Sequence, residues 1–335
     1  MSLLSHPADH VQIAHLLRRA VLAVWHVVTV ASTGEGYPAR AVRRLGREIA
    51  PSLFRTRALR GAGYVVHRRV CRLQRRRPES RRPAFLRNRP LLEVLRRLAM
   101  EWPAGQPVRL ASVGCGTGAE LYSVLWAMRG ARRDLVVHAI GADDSAAALA
   151  TAGAARYAAG DMELSSLGES ETAALFELEQ DDRVVRPWIA TGVEWLEANV
   201  RDEAALAQLA GQDIVLANDA FRHLADADAE RCLERVARLV VPGGYVIACH
   251  MNADVRLRVM RRLGYLPVPV KIAAMHEAEP AALARWPTAY WAREPLDVRR
   301  ADWIRRYAVI FQRPAWDVAM PAGAAAQPGT VYTDA

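Results

Sequence analysis

An α/β domain of Rossmann-like type, built on a mostly parallel sheet, is what the 335-residue sequence predicts, and three observations predict it. Val108 to Val113 is a short apolar run with no breaker before Gly114, as a strand buried on both faces requires. Leu121, Val124, Leu125 and Met128 then recur at helical spacing. A second apolar run, Leu135 to Ala142, ends in Asp143, and strand-like and helix-like stretches alternate from there on.

Taken in order, the spacing predicts strands at 108–113 and 135–141, helices at 118–129 and 145–158, and an acidic helical insert over about 161–180. Val184-Val185 and Val193 to Trp195 are short strand candidates around Pro187. Asp213 to Ala217 reads as a strand, and Asp226 to Val240 as a helix with Asp226, Asp228 and Glu230 at its positive end. Pro242-Gly243-Gly244 reads as a turn into a strand at Tyr245 to Cys249. A helix over 253–263 and a closing strand over Tyr307 to Phe311 complete the sheet. Ahead of it, Pro90 suits the start of an amphipathic helix running from Leu91 to about Met100. Residues 1–90 read as a small helical domain, 91–315 as the α/β domain, and 316–335 as a tail with little to bury.

In an open parallel sheet, ligands sit over the carboxyl ends of the strands. The turn Gly114-Cys115-Gly116-Thr117-Gly118, Asp143, Asn199 and the Asn218 to His223 loop all fall there. Three glycines let the backbone turn sharply and approach a ligand, and the amides opening the next helix face whatever lies in the turn. Asp143, about 25 residues on, can accept hydrogen bonds from both hydroxyls of a ribose. Glu120, just inside the helix, would repel a pyrophosphate but attract an ammonium. That combination favours S-adenosylmethionine over a dinucleotide as the cofactor.

Composition bounds the alternatives. With 52% hydrophobic residues the chain can bury a full core. Cys71, Cys115, Cys232 and Cys249 form no C-x-x-C pair, which suggests neither a zinc site nor a disulfide framework and fits a reduced, cytoplasmic setting. The apolar stretch Ala20 to Ala31 is too short to span a bilayer and reads as a buried helix. The net charge of +9 is uneven: between Arg40 and Arg89 the acids are Glu48 and Glu79, against many arginines. Such a face is either solvated surface or a seat for an acidic protein partner or a small acidic substrate; no interleaved aromatics favour nucleic acid.

Together these segments resemble the CheR-like, chemotaxis-type family of S-adenosylmethionine-dependent methyltransferases. Ala84-Phe85-Leu86-Arg87 is similar to the family's phenylalanine-rich F-F-R entry, and Gly114 to Ser123 to its C-x-T-G-E-E-P-Y-S loop. Asp143 to Tyr157, Glu197 to Val200 and Asp213 to Leu224 resemble its later segments. The resemblance implies a class I methyltransferase domain with a seven-stranded sheet. It also implies a helical N-terminal domain of the kind that holds an acidic receptor helix.

By the same resemblance, Arg87 and Glu120 handle the methionine end of the cofactor beside Gly114, Cys115, Gly116 and Asn218. Asp143 takes the ribose, and Asn199 with Val200 the adenine edge. Each residue also has a plainer reading: Asp143 as a cap of the next helix, Asn199 as a turn residue, Arg87 as one more surface arginine. The chain departs from the family where Arg-Asn…Tyr-Phe becomes Asn218-Asp219…His223-Leu224. A carboxylate acceptor needs no base, whereas a hydroxyl or protonated amine does. His223 is therefore the candidate base, with Arg87 beside it, for methyl transfer to O or N of a small molecule by in-line displacement; packing near the Asp226 helix is the alternative. A receptor-glutamate methyltransferase and a non-catalytic cofactor-binding protein remain the other readings. Trp286, Tyr290, Trp291 and Trp303 either line an acceptor pocket or pack in the core.

Overall fold

Glycine turns, capped helices and alternating apolar strands assemble into a twisted sheet with helices on both faces. The computed structural model describes residues 84–221, 224–278 and 296–315. The arginine-rich first segment, His223, the aromatics at 286–291 and the tail from 316 lie outside the described residues.

The chain enters through α1 (Arg89–Glu101), whose start is fixed by Asn88: its side chain accepts from the Leu91 amide at 3.1 Å. Then follow β1 (Val108–Val113), α2 (Ala119–Ala131), β2 (Val137–Asp143) and α3 (Ala146–Ala154). Next come β3 (Arg156–Ala158), α4 (Glu169–Leu175), β4 (Phe176–Glu179), β5 (Asp182–Val185), α5 (Pro187–Ala190) and β6 (Val193–Glu197). The second half holds α6 (Glu203–Ala207), β7 (Gln212–Leu216), α7 (Asp226–Arg238), β8 (Val240–Ile247) and α8 (Ala253–Arg262). It closes with β9 (Leu266–Pro267), α9 (Ile272–Glu277), α10 (Trp303–Tyr307) and β10 (Ile310–Gln312).

The main sheet has seven strands in the order β6-β2-β1-β7-β8-β10-β9; β10 alone in it runs antiparallel to its neighbours. Successive residues of the central strands feed opposite cores, as the two-residue period of a strand demands. Val108 and Leu110 of β1 and Ile214 and Leu216 of β7 pack with α1 and α2, while Ala111, Val113, Val215 and Ala217 pack with α7 and α8. Trp303 is partly buried against this second core. No described helix is long and apolar enough to cross a membrane.

Four expectations need correction. The helix expected over 145–158 stops at Ala154, because Ala155 turns left-handed (φ 51°) and donates its amide to the Ala152 carbonyl. The acidic helical insert over 161–180 is helical only in part, as a 3-10 turn at Met162–Leu164 and the short α4; it ends in β4, which pairs with β5, and β5 with β3, in a separate three-stranded antiparallel sheet. Tyr307 belongs to α10 rather than to the closing strand, and β9, not that strand, forms the edge. Finally, β8 spans Pro242-Gly243-Gly244 as an irregularity within the strand, between register partners Gln212↔Val240 and Ile214↔Tyr245. Gly244 is required there, since a Cβ would lie 2.6 Å from the Asp213 carbonyl oxygen.

Candidate cofactor site

Past the carboxyl end of β1 the backbone takes left-handed conformations at Gly114 (φ 70°), Gly116 (54°) and Gly118 (81°). A Cβ on Gly118 would meet the Trp195 ring at 2.8 Å, and one on Gly114 the Ala220 Cβ at 3.0 Å. The turn is thus pressed between β6 and the loop after β7. Trp195, which the sequence reading placed only in a strand, also covers Gly141, where a Cβ would lie 2.3 Å from its ring. Cys115 is buried, and burial pushes its thiol well above the usual range, so it is a packing residue rather than a nucleophile.

Asp143 closes the turn from the next strand. One carboxylate oxygen accepts from the Gly116 amide at 2.7 Å and the other from the Ser145 amide at 3.0 Å. Each oxygen keeps a further lone pair for a ribose hydroxyl. The capping of α3 falls to Ser145, whose hydroxyl accepts from Ala148. Asn199 is committed locally: its amide donates to Asp144 at 2.8 Å and its oxygen accepts from the Arg201 amide at 2.9 Å. Val200 is half-buried beside it.

At the other side of the turn, Glu120 and Asn218 meet. Asn218 is buried and works at both ends, donating to Glu120 Oε1 at 2.6 Å and accepting from the Cys249 amide at 2.8 Å. Burial pushes the Glu120 carboxyl upward; the Asn218 bond and the charges of Arg87 and His250 oppose that push, and Asp219 adds to it.

Arg87 arrives on an entry segment held by its neighbours. Phe85 is fully buried edge-on against Tyr157 and Phe176, with ring centroids 5.0 and 4.8 Å away. Its amide donates to the Glu163 carbonyl at 2.9 Å, and the Leu86 amide to the Ser123 hydroxyl at 3.0 Å. The phenylalanine is therefore an anchor in the β3-β5-β4 insert, and the arginine is what it presents. Arg87 forms an ion pair with Asp219, and its Nη2 lies 3.3 Å from His250 Nε2.

Glu120, Asp143, Asn218, Arg87 and the glycine turn thus gather around the carboxyl ends of β1, β2 and β7, whereas the Asn199 side chain is occupied with Asp144. Three residues at the site went unassigned in the sequence: His250, Asp219 and Glu163, the last buried and accepting from the Thr117 hydroxyl at 3.2 Å. His250 and Asp219 each follow the end of a strand by three residues, the one signal that could have found them.

The groups present fit S-adenosylmethionine: a carboxylate with lone pairs for a ribose, a second carboxylate for an ammonium, an arginine for a carboxylate, and between them a turn with glycine at three of its five positions. Residues 82–256, more than half of the chain, match the family model "CheR methyltransferase, SAM binding domain". Comparison with curated proteins finds no match. Among solved structures the chain is similar to SAM-bound CalS10, an amino pentose methyltransferase of Micromonospora echinaspora. That match has 19% identity, 48% of this chain, 49% of that one and a TM-score of 0.29. A second is an O-methyltransferase family protein of Burkholderia thailandensis, at 16% identity, 79% of this chain, 63% of that one and a TM-score of 0.34. The chain spans about half the length of the first of these structures. On the family match, this chain belongs to the CheR methyltransferase family, and the matched segment is that family's SAM-binding domain.

Proposed function

We propose that this chain is an S-adenosylmethionine-dependent methyltransferase whose acceptor is O or N of a small molecule, methylated by in-line displacement, with the cofactor's methionine end held by Arg87 and Glu120, its ribose by Asp143 and its adenine edge by the Asn199-Val200 segment. The observation that carries this reading is the charge around Arg87. Its guanidinium is paired with Asp219 and, in this reading, also takes the cofactor's own carboxylate, so it has no positive charge left over for a carboxylate acceptor. The bound cofactor supplies an electrophilic methyl on a sulfonium; the protein's part is to align a nucleophile with it and remove the nucleophile's proton. His223, on the loop after β7 and outside the described residues, is a candidate for that proton.

Release of S-adenosylhomocysteine on incubation with fractionated small molecules tests the reading directly. Turnover with a hydroxyl- or amine-bearing compound supports it. Turnover confined to protein fractions, with methyl ester formed on glutamate, would replace it by receptor-type methylation through the basic N-terminal segment. Cofactor binding without turnover on any fraction would replace it by a non-catalytic role.

A further inference from the structure

Gly130 stands in the last turn of α2, where glycine weakens a helix relative to alanine. The backbone does not call for it, since Gly130 is not among the glycines of positive φ. Nor does packing: a Cβ there would meet the Trp188 ring at 3.7 Å, an ordinary contact. Gly130 instead lines a cavity of about 470 Å³, together with Arg96, Trp126, Arg133, Arg186 and Trp188, and its bare backbone keeps that cavity open. The volume is that of a small-molecule site. Gly130 lies ten residues beyond Glu120, about 15 Å along the helix, so this cavity is separate from the cofactor site.

Its walls are held in place by backbone carbonyls. Arg129 donates to the Ile189 and Trp188 carbonyls at 2.7 and 3.3 Å and to the Val137 carbonyl at 2.8 Å, which ties α5 to α2 and β2 and fixes the Trp188 backbone. Arg186 donates to the Ala173 carbonyl at 3.1 and 2.8 Å and holds the side formed by α4. Both tryptophans pack against the core and stay partly open to solvent. Arg133 lies over the Trp188 ring, its Cζ 5.5 Å from the centroid. A stacked guanidinium keeps its N–H edge for an anion. The lining holds three arginines and no acid. Arg186 has Glu177 at 3.3 Å, whereas Arg96 and Arg133 are in no ion pair with a carboxylate among the described residues.

We propose that this cavity binds a small planar anion, an aromatic ring bearing a carboxylate or phosphate, with the ring against Trp126 and Trp188 and the anion on Arg96 and Arg133. Indole faces and cations select it together. A neutral aromatic would leave the arginines without a counter-charge, and an inorganic anion would leave the indoles in water. The site depends neither on which acceptor is methylated nor on which residues hold the cofactor.

Calorimetric titration of 1-naphthyl phosphate and 1-naphthoate into the full chain tests it, with 1-naphthol, inorganic phosphate and a glutamate-rich peptide as controls. The two aromatic anions should bind one-to-one with micromolar affinity, the tighter naming the anion, and naphthol and phosphate about tenfold or more weakly, as the loss of a charge-assisted pair or of the ring contact requires. Gly130→Ala should unfold at the same or a higher denaturant concentration, yet weaken the probes about fivefold or more by filling the cavity. Arg96→Gln combined with Arg133→Gln should weaken them about tenfold. In Gly130→Ala the affinity for S-adenosylmethionine should stay within about twofold of wild type, the two sites being some 15 Å apart. No saturable binding of either aromatic anion overturns the proposal, as does binding that Gly130→Ala and the arginine pair leave unchanged. Naphthol binding as tightly as naphthyl phosphate would make the cavity a plain apolar slot, and binding of the glutamate-rich peptide alone would make it a seat for an acidic protein; either replaces the proposal. A wild type that binds the probes but no S-adenosylmethionine would sink the cofactor reading and leave this site standing.

Discussion

Glu120→Gln separates an ammonium-binding carboxylate from a merely structural one. The carboxamide has the same shape and can still accept the 2.6 Å bond from Asn218, so the fold loses little. What disappears is the negative charge. A hydrogen bond to a charged group contributes about 1.5–3 kcal/mol, so S-adenosylmethionine should bind about 10- to 150-fold more weakly, tenfold per 1.4 kcal/mol. Methylthioadenosine, which lacks the amino-acid tail, should bind wild type and variant alike. The pH dependence has two signs. Burial raises the carboxyl above its ordinary 4.5 in the folded protein, so protonation stabilises the fold. That contribution is complete below about pH 4.5 and is lost as pH rises through the folded value. Cofactor affinity runs the other way, falling as pH drops through the same value, because the neutral acid has no charge to offer. Calorimetric titration of both ligands into both proteins across pH reads the affinities, and denaturant unfolding across pH reads the stability. Equal weakening for methylthioadenosine, or no weakening for S-adenosylmethionine, would refute the reasoning.

Gly118→Ala places a Cβ 2.8 Å from the Trp195 ring in a residue at φ 81°. About 1–2 kcal/mol for the backbone and about 1–3 kcal/mol for overpacking should appear in denaturant unfolding; a change under about 0.5 kcal/mol, the scale of a neutral surface substitution, would contradict the packing described. Cys115, Cys232 and Cys249 are buried and their thiols are held above the usual range, so mass spectrometry after iodoacetamide treatment at pH 8 should find them unmodified until the protein is unfolded. Rapid modification of Cys115 in the native protein would place it at the surface of the turn.

The segment β1–turn–α2 was legible because each part carries its own local reason: an apolar run, glycines where the backbone must turn left-handed, and apolar residues at helical spacing. Asp143 was legible by its place at the end of the next apolar run. The insert was not. Between Asp161 and Gln180 acidic residues and alanines suit a helix, and α4 is one; only the pairing of β4 with β5, with Phe176 set on Phe85, makes a strand of Phe176–Glu179. The alanine-rich stretch after Ser145 favours helix throughout, and nothing in it announces the left-handed turn at Ala155. Arg87, Asp219 and His250 come from three places in the chain, with 163 positions between the first and last, and no spacing rule joins them. Their contact is a product of the sheet order, which sets the ends of β7 and β8 side by side.

The central claim is tested most directly by calorimetric titration of S-adenosylmethionine and S-adenosylhomocysteine into the wild type and into Asp143→Ala. The account predicts saturable one-to-one binding of both ligands by the wild type. In the variant, removing the carboxylate that holds the turn, and to which the proposed reading gives the ribose, should weaken binding by about 1–3 kcal/mol. Wild-type binding that Asp143→Ala leaves unchanged, or no binding of either ligand by the wild type, would contradict it.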